Sequence, residues 1–176
     1  MKLWNHLKTI NKHKYYVTKL CFRCGLYKQG LLHDLSKYSY TELKTGAKYW
    51  VGTRSPNSME REAIGYSTAW LHHKGRNKHH WEYWVDITSK GIVAAPMPTK
   101  YVVEMFCDRV AATLVYRGHD FDVTSPLDYY LKTRFYYVIH EETDRQLKDM
   151  LVHLSKSTLD ETISYIRTTY LQEEKR

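Results

Sequence analysis

The chain has 176 residues, of which 43% are hydrophobic and 14% are aromatic. This composition predicts one folded domain and excludes a largely disordered chain. The sequence has no apolar run of eighteen residues and no signal-peptide pattern, so we expect no membrane segment and a cytoplasmic location. The formal net charge of +8 favours an anionic partner, either a small phosphorylated substrate or nucleic acid. The basic residues are scattered, and no glycine-rich phosphate loop is present.

The three cysteines do not form a recognisable zinc or redox motif. Cys21 and Cys24 have CxxC spacing, and Cys107 is far away in the sequence. A zinc ribbon needs a second such pair, and a thioredoxin-like site needs a βαβ setting. We therefore interpret all three as cysteines packed within helices.

The first half of the chain predicts a series of helices. Apolar residues at three- and four-residue steps indicate a helix over residues 3–24, ended by Gly25. A second helix is predicted over 28–37. Ser39 and Glu42 have capping-box spacing at the start of a third, which continues to about residue 49. Further helical patterns cover 59–73, after a loop over 46–58, and 99–116, after Pro96 and Pro98.

The rest of the chain predicts helical cover and completes an all-α fold. Helices are expected over 126–138, 141–154 and 159–171, the last capped by Thr158. No strong strand alternation appears. We predict a single all-α domain, 1–176, whose C-terminal helical cover spans about 126–171.

The adjacent His33 and Asp34 form the most informative pair in the sequence. Their neighbours Leu31, Leu32 and Leu35 predict a buried helical face, and further His and Asp candidates stand upstream and downstream. The chain has ten histidines, so one such dipeptide is expected by chance. We interpret His119-Asp120 as that chance copy.

Four of the ten histidines fall within nine residues, at positions 72, 73, 79 and 80. Aromatic residues that favour burial surround them. Buried imidazoles need a hydrogen-bond partner or a metal. Metal ligation is the favoured interpretation, and packed structural histidines are the alternative. The aromatic neighbours are Trp70, Trp81, Tyr83 and Trp84.

Two more candidates flank this region. His13 lies on the predicted first helix, where it is either a surface histidine beside Lys12 and Lys14 or a metal ligand. Asp108 borders the apolar stripe of the 99–116 helix, so its carboxylate needs a cation, either Arg109, another basic group or a metal.

The order of these residues resembles that of the HD-domain superfamily of metal-dependent phosphohydrolases. The resemblance covers about residues 6–117, which would form the metal-site core of the domain. It implies an HD-like helical bundle and one or two divalent ions. The segment His33-Asp34-Leu35-Ser36-Lys37 is similar to the HDxGK segment of one branch, with Ser36 in place of Gly. The downstream GYP-type element of that branch is absent, so cyclic-dinucleotide hydrolysis is not implied. The ligands implied for the simplest members are His13, His33, Asp34 and Asp108, and two-metal members add His73, His79 and His80, with His72 as an alternative to His73.

The resemblance implies a phosphate-binding role for Lys37, and the hypothesis of a phosphohydrolase gives roles to further residues. Lys37 and Arg109 would hold the phosphate, and Glu104 or Glu82 would be the general base. Three segments, 30–37, 77–84 and 104–109, more closely resemble those of a small uncharacterised family with an HD-like core. This closer resemblance extends over nearly the whole chain but brings no known reaction. Imidazole and carboxylate ligands without thiolates suit Mn, Fe, Zn, Co or Ni.

Three hypotheses for function follow from the sequence. We expect a metal-dependent hydrolase of a phosphate ester or nucleotide, in which a metal-activated water is the nucleophile. One alternative is a two-iron oxygenase, since some two-metal HD relatives use iron and oxygen. The other is a non-catalytic module that binds nucleic acid or another partner through its basic surface and aromatic residues.

Overall fold

Two long helices pack against each other at the centre of the molecule. The computed structural model describes residues 1–172. Helix α1, Lys2–Cys24, is amphipathic and buries one face, whereas α6, Thr99–Arg117, is buried along most of its first three turns. A helix buried on several sides belongs at the centre of a fold. Gly25 ends α1 in the left-handed conformation, with φ of 84°, as predicted.

The shorter elements of the first half surround one end of this helix pair. Helix α3 packs against α1, α4 and α5. Two short antiparallel strands form a hairpin in which Val85 pairs with Ala94. The elements are α2 Tyr27–Leu32, α3 Tyr40–Tyr49, α4 Pro56–Ile64, α5 Thr68–Lys74, β1 Val85–Thr88 and β2 Gly91–Ala94, with short 3₁₀ turns at Leu35–Tyr38 and Trp81–Trp84.

Three further helices cover this central pair: α7, Ser125–Thr133, α8, Glu141–Lys156, and α9, Leu159–Thr169. Helices α7 and α8 pack against α6, whereas α9 packs against α1 and α8. The apolar stripe of α8 is fully buried against this core, and each such side chain contributes about 1.5–3 kcal/mol relative to exposure. The Thr158 side chain and Glu161 form a capping box at the start of α9. The all-α prediction is confirmed, apart from the small hairpin.

Several predicted boundaries were wrong. The helix predicted over 28–37 ends at Leu32, and the leucines around the His-Asp pair are 48–59% exposed rather than buried. The pattern over 59–73 divides into two helices because Gly65 adopts φ of 86°. Helix α3 continues through Gly46, and α4 already begins at Pro56, so the predicted loop is shorter. The hairpin was missed because its short strands expose most of their residues.

Two further predictions concern membrane-spanning segments and the three cysteines. In the described part of the chain, no helix combines the length and apolar character needed to cross a bilayer. Cys21, Cys24 and Cys107 are free thiols buried in the core, which confirms their interpretation as packing residues.

Candidate metal centre

A break in the backbone presents the His-Asp pair. Helix α2 stops at Leu32, His33 is extended with ψ of 127°, and Asp34 adopts the left-handed conformation with φ of 54°. Among the residues described, Asp34 is the only non-glycine residue with positive φ. This conformation costs an ordinary L-residue about 1–2 kcal/mol, although Asp tolerates it better than most. Backbone strain of this kind concentrates at functional sites.

The two carboxylate oxygens of Asp34 face different sets of imidazoles. Oδ2 lies 3.2 Å from His33 Nε2 and 3.7 Å from His13 Nε2. Oδ1 lies 3.2 Å from His73 Nε2 and 3.3 Å from His79 Nε2. Asp34 could therefore contribute one carboxylate oxygen to each of two adjacent metal sites.

The side chains accordingly form two groups that share Asp34. The ligand atoms within each group all lie within 4.8 Å of one another. Ligands bound to one ion at about 2.1 Å are at most about 4.2 Å apart, so a small contraction would complete either shell. Site A is formed by His13, His33, Asp34 and Asp108, and site B by Asp34, His73, His79 and His80.

Asp108 joins site A from α6. Its Oδ1 lies 2.9 Å from His13 Nε2 and 3.6 Å from His33 Nε2. The sequence left three cations open for Asp108: Arg109, another basic group or a metal. In the structure the guanidinium of Arg109 is directed elsewhere, donating to the Tyr137 hydroxyl at 3.2 Å.

Glu104 lies behind one imidazole ring of each site. Its Oε1 lies 2.9 Å from Nδ1 of His33 and 3.1 Å from Nδ1 of His79. These contacts direct the Nε2 atoms of both rings toward Asp34. A carboxylate behind a ligating histidine fixes its tautomer and orientation. The close grouping of these three residues is therefore explained by hydrogen bonding.

Glu42 plays the corresponding part in site B. Its Oε2 accepts from His73 Nδ1 at 2.9 Å, and its Oε1 contacts His72 Nδ1 at 2.7 Å. Ser36 Oγ and the Asn77 amide also lie near His73 Nδ1. Thus His73 points into the site while His72 stands outside it. The structure thereby separates the two histidines that the sequence left as alternatives.

Charge and burial shift the ionisation of these groups in opposite directions. Burial alone lowers the pKa of His33, but the Asp34, Asp108 and Glu104 carboxylates outweigh it and raise this pKa well above its usual value. The pKa of His73 is likewise raised, mainly by Asp34 against burial. Burial and the neighbouring His79 lower the pKa of His80. The Asp34 carboxylate contributes to both raised pKa values.

The arrangement of the ligand atoms suits a metal ion better than it suits hydrogen bonds among these side chains. Four Nε2 atoms and both Asp34 oxygens are buried and have no hydrogen-bond partner of acceptable geometry. Such orphaned polar atoms are uncommon in native proteins and require an explanation. Atoms that converge within ion-pair distances but do not form aligned hydrogen bonds are expected around a shared cation. The four imidazoles are His13, His33, His79 and His80.

A cavity of about 870 Å³ opens onto these groups. Ligands of both sites border it, as do cationic and aromatic side chains from α4, α6 and α7. Its volume is within the range of small-molecule sites. Its cationic lining consists of Lys37, Arg54, Arg61, Arg109, Arg117 and Lys132.

The residues with predicted catalytic roles lie in different places. Lys37 and Arg109 both line the cavity, and Lys37 Nζ is 2.6 Å from Asp34 Oδ2. Glu104 lies behind the histidines rather than on the cavity wall. Glu82 lines the cavity, and its Oε1 accepts from Trp70 Nε1 at 3.2 Å. Burial raises the pKa of Glu82.

The structure brings together all seven predicted metal ligands, whereas the second His-Asp dipeptide is exposed. Sequence reasoning missed Glu42, which was noticed only for its capping-box spacing. Its role depends on the packing of α3 against α5, which no local pattern reveals. It also missed His6, which is buried against Gly46 and lines the cavity. His6 lies seven residues before His13, on the same face of α1, and this spacing was the available signal.

Comparison with known proteins places the chain in a family. A model described as a family of unknown function, DUF5662, matches residues 2–153. The chain belongs to this family. The matched range contains every candidate ligand of sites A and B. No curated protein and no solved structure matched the chain.

Proposed function

We propose that the protein is a metal-dependent hydrolase of a phosphate ester or nucleotide on an HD-like helical fold. Sites A and B would hold one or two divalent transition ions, of Mn, Fe, Zn, Co or Ni, with Asp34 contributing to both sites. The same donor types without thiolates suit these borderline or harder ions.

One observation carries this proposal. Each oxygen of Asp34 faces its own set of buried imidazole nitrogens, and the shared cluster borders a cavity with six cationic side chains. Structural ion pairing alone accounts poorly for six buried polar atoms without hydrogen bonds. The ordered resemblance to HD phosphohydrolases supports the same reading, because its implied ligands are the ones that converge.

The chain's own residues would bind and orient the substrate. Bound divalent ions would supply water of lowered pKa and would neutralise phosphoryl oxygens. Arg109, on the cavity wall next to Asp108, would bind the phosphate, and Lys37 would add a second positive charge beside Asp34. Glu104 and Glu42 would hold the histidines in their ligating tautomers. In the net reaction, water replaces the alcohol or nucleoside group at phosphorus.

The first test is metal content of the untagged protein by elemental mass spectrometry. Wild type is compared with Asp34→Asn, which keeps a side chain suited to the left-handed backbone. Asp120→Asn provides a matched control, because it changes the exposed second His-Asp dipeptide. We expect about one or two equivalents of metal in wild type and the control, and a loss in Asp34→Asn with unchanged circular dichroism.

A substrate screen completes the test. Mononucleotides, sugar phosphates and an aryl phosphate are offered to protein reconstituted with each metal, with released phosphate as the readout. Hydrolysis that disappears in Asp34→Asn would support the proposal. Wild type that binds no offered metal would refute the metal centre. Metal-loaded protein that hydrolyses none of these esters would refute the hydrolase assignment alone.

A second candidate function rests on the bridging carboxylate. Two histidine-rich sites joined by one Asp also suit a pair of iron ions in an oxygenase. Preferential retention of iron, with an optical spectrum that changes on exposure to oxygen, would favour this alternative. Activity restored equally by redox-inert zinc would exclude it.

A further inference from the structure

Helix α1 contacts the backbone break at His33–Asp34 through the Lys14 ammonium group as well as through His13. Lys14 Nζ donates to the carbonyl oxygens of Leu31 and His33, at 2.9 Å in each case. One turn later, Thr18 Oγ1 donates to the Gly30 carbonyl at 2.8 Å. Two side chains of α1 therefore bind three carbonyls at the end of α2.

These carbonyls lack the usual helical partners. The last carbonyls of an α-helix have no amide four residues ahead to bind them, and α2 has only six residues. A cation at this end also interacts favourably with the helix dipole. The His33 carbonyl belongs to the peptide that joins His33 to Asp34, so Lys14 fixes the link between these two ligand candidates.

We propose that Lys14 is a positioning residue that holds the His33–Asp34 peptide in its metal-binding arrangement. This inference rests on the proposed metal-dependent function. Lys14 directly follows His13, so adjacent residues of α1 provide a ligand of site A and the side chain that positions two further ligands, His33 and Asp34. Because Asp34 contributes to both sites, Lys14 affects the ligand geometry of both. Thr18 secures the preceding residue of the same segment.

The test uses Lys14→Met, which keeps most of the side-chain volume and removes the donors. Lys12→Met is the matched control, since Lys12 is exposed on the same helix. Lys14→Arg restores donors to the carbonyls. Hydrogen exchange of residues 30–39 is measured on metal-free protein, and Co²⁺ titration follows affinity and the visible absorption spectrum.

We expect faster exchange in this segment for Lys14→Met and Co²⁺ affinity lowered about 10- to 100-fold, as for other outer-shell partners. The visible spectrum should change because His33 and Asp34 move. Lys12→Met should match wild type, and Lys14→Arg should recover most of the affinity and the spectrum.

Each other outcome is decisive. Unchanged hydrogen exchange in Lys14→Met would refute the claim that Lys14 holds the His33–Asp34 peptide, whether or not the protein binds metal. Faster exchange with unchanged Co²⁺ affinity and spectrum would overturn its positioning role. Wild type without metal would instead refute the proposed function. If Lys14→Met fails to fold, Lys14→Gln, whose side chain is shorter and uncharged, undergoes the same measurements, and wild-type exchange or affinity in that variant would overturn the inference.

Discussion

Replacing the two outer carboxylates separately should distinguish the two sites. Glu104 contacts one histidine of site A and one of site B, whereas Glu42 contacts only His73 among the ligands. We therefore expect Glu104→Ala to weaken both sites and Glu42→Ala to weaken site B alone. Loss of an outer-shell partner typically lowers metal affinity 10- to 100-fold, or about 1.4–2.8 kcal/mol.

The same structure gives the expected cost in stability. Glu104→Ala leaves two buried Nδ1 donors without an acceptor, and each such loss costs about 1–3 kcal/mol. The free energy of unfolding of the metal-free protein should fall by about 2–6 kcal/mol on this basis. Glu104→Gln keeps an acceptor oxygen and should have a smaller effect on both stability and affinity.

Calorimetric titration with Co²⁺ and urea denaturation would measure the two effects. Glu60→Ala is a matched control, because Glu60 is 2% exposed and accepts from Ser67 and Thr68 rather than from a ligand. It should lower stability without changing metal affinity. Glu104→Ala that retains both affinities within about twofold, or Glu42→Ala that weakens both sites equally, would refute the assigned contacts.

Further predictions concern protons, packing and substrate binding. The carboxylates, Asp34 foremost, outweigh burial and raise the pKa of His33 and His73 in the metal-free protein. Since metal competes with protons for its ligand atoms, metal affinity should rise with pH over the range in which these imidazoles lose their protons. Titrations in buffers of different ionisation enthalpy should show proton release, and an affinity that does not change with pH would contradict this prediction. A Cβ at Gly46 would lie 2.0 Å from His6 Nε2, so Gly46→Ala should lower the free energy of unfolding by about 1–3 kcal/mol. Thermal unfolding measures this loss, and adding His6→Ala should relieve it; an equal loss with and without His6 would contradict the predicted clash. Arg109→Met should raise KM for phosphate esters while metal content stays unchanged, and an unaltered KM in steady-state assays would remove Arg109 from phosphate binding.

Helix positions were predictable where the local signals agreed. Gly25 ends α1 and Thr158 caps α9, because a left-handed glycine and a capping hydroxyl act within one turn of chain. The His-Asp dipeptide was recognised as the most informative pair, but its local structure was predicted wrongly. Its apolar neighbours suggested a buried helix, whereas the helix stops at Leu32 and contacts from α1 stabilise the break.

The sequence by itself determined the all-α class, the core stripe of α6 and the set of seven ligand candidates. Spacing, burial preference and donor chemistry are properties that residues carry locally. Only the tertiary structure decided which residues share a site, because that depends on packing between distant helices. It divided the ligands into two groups around Asp34, chose His73 over His72, and brought Glu42 and Glu104 behind the imidazoles.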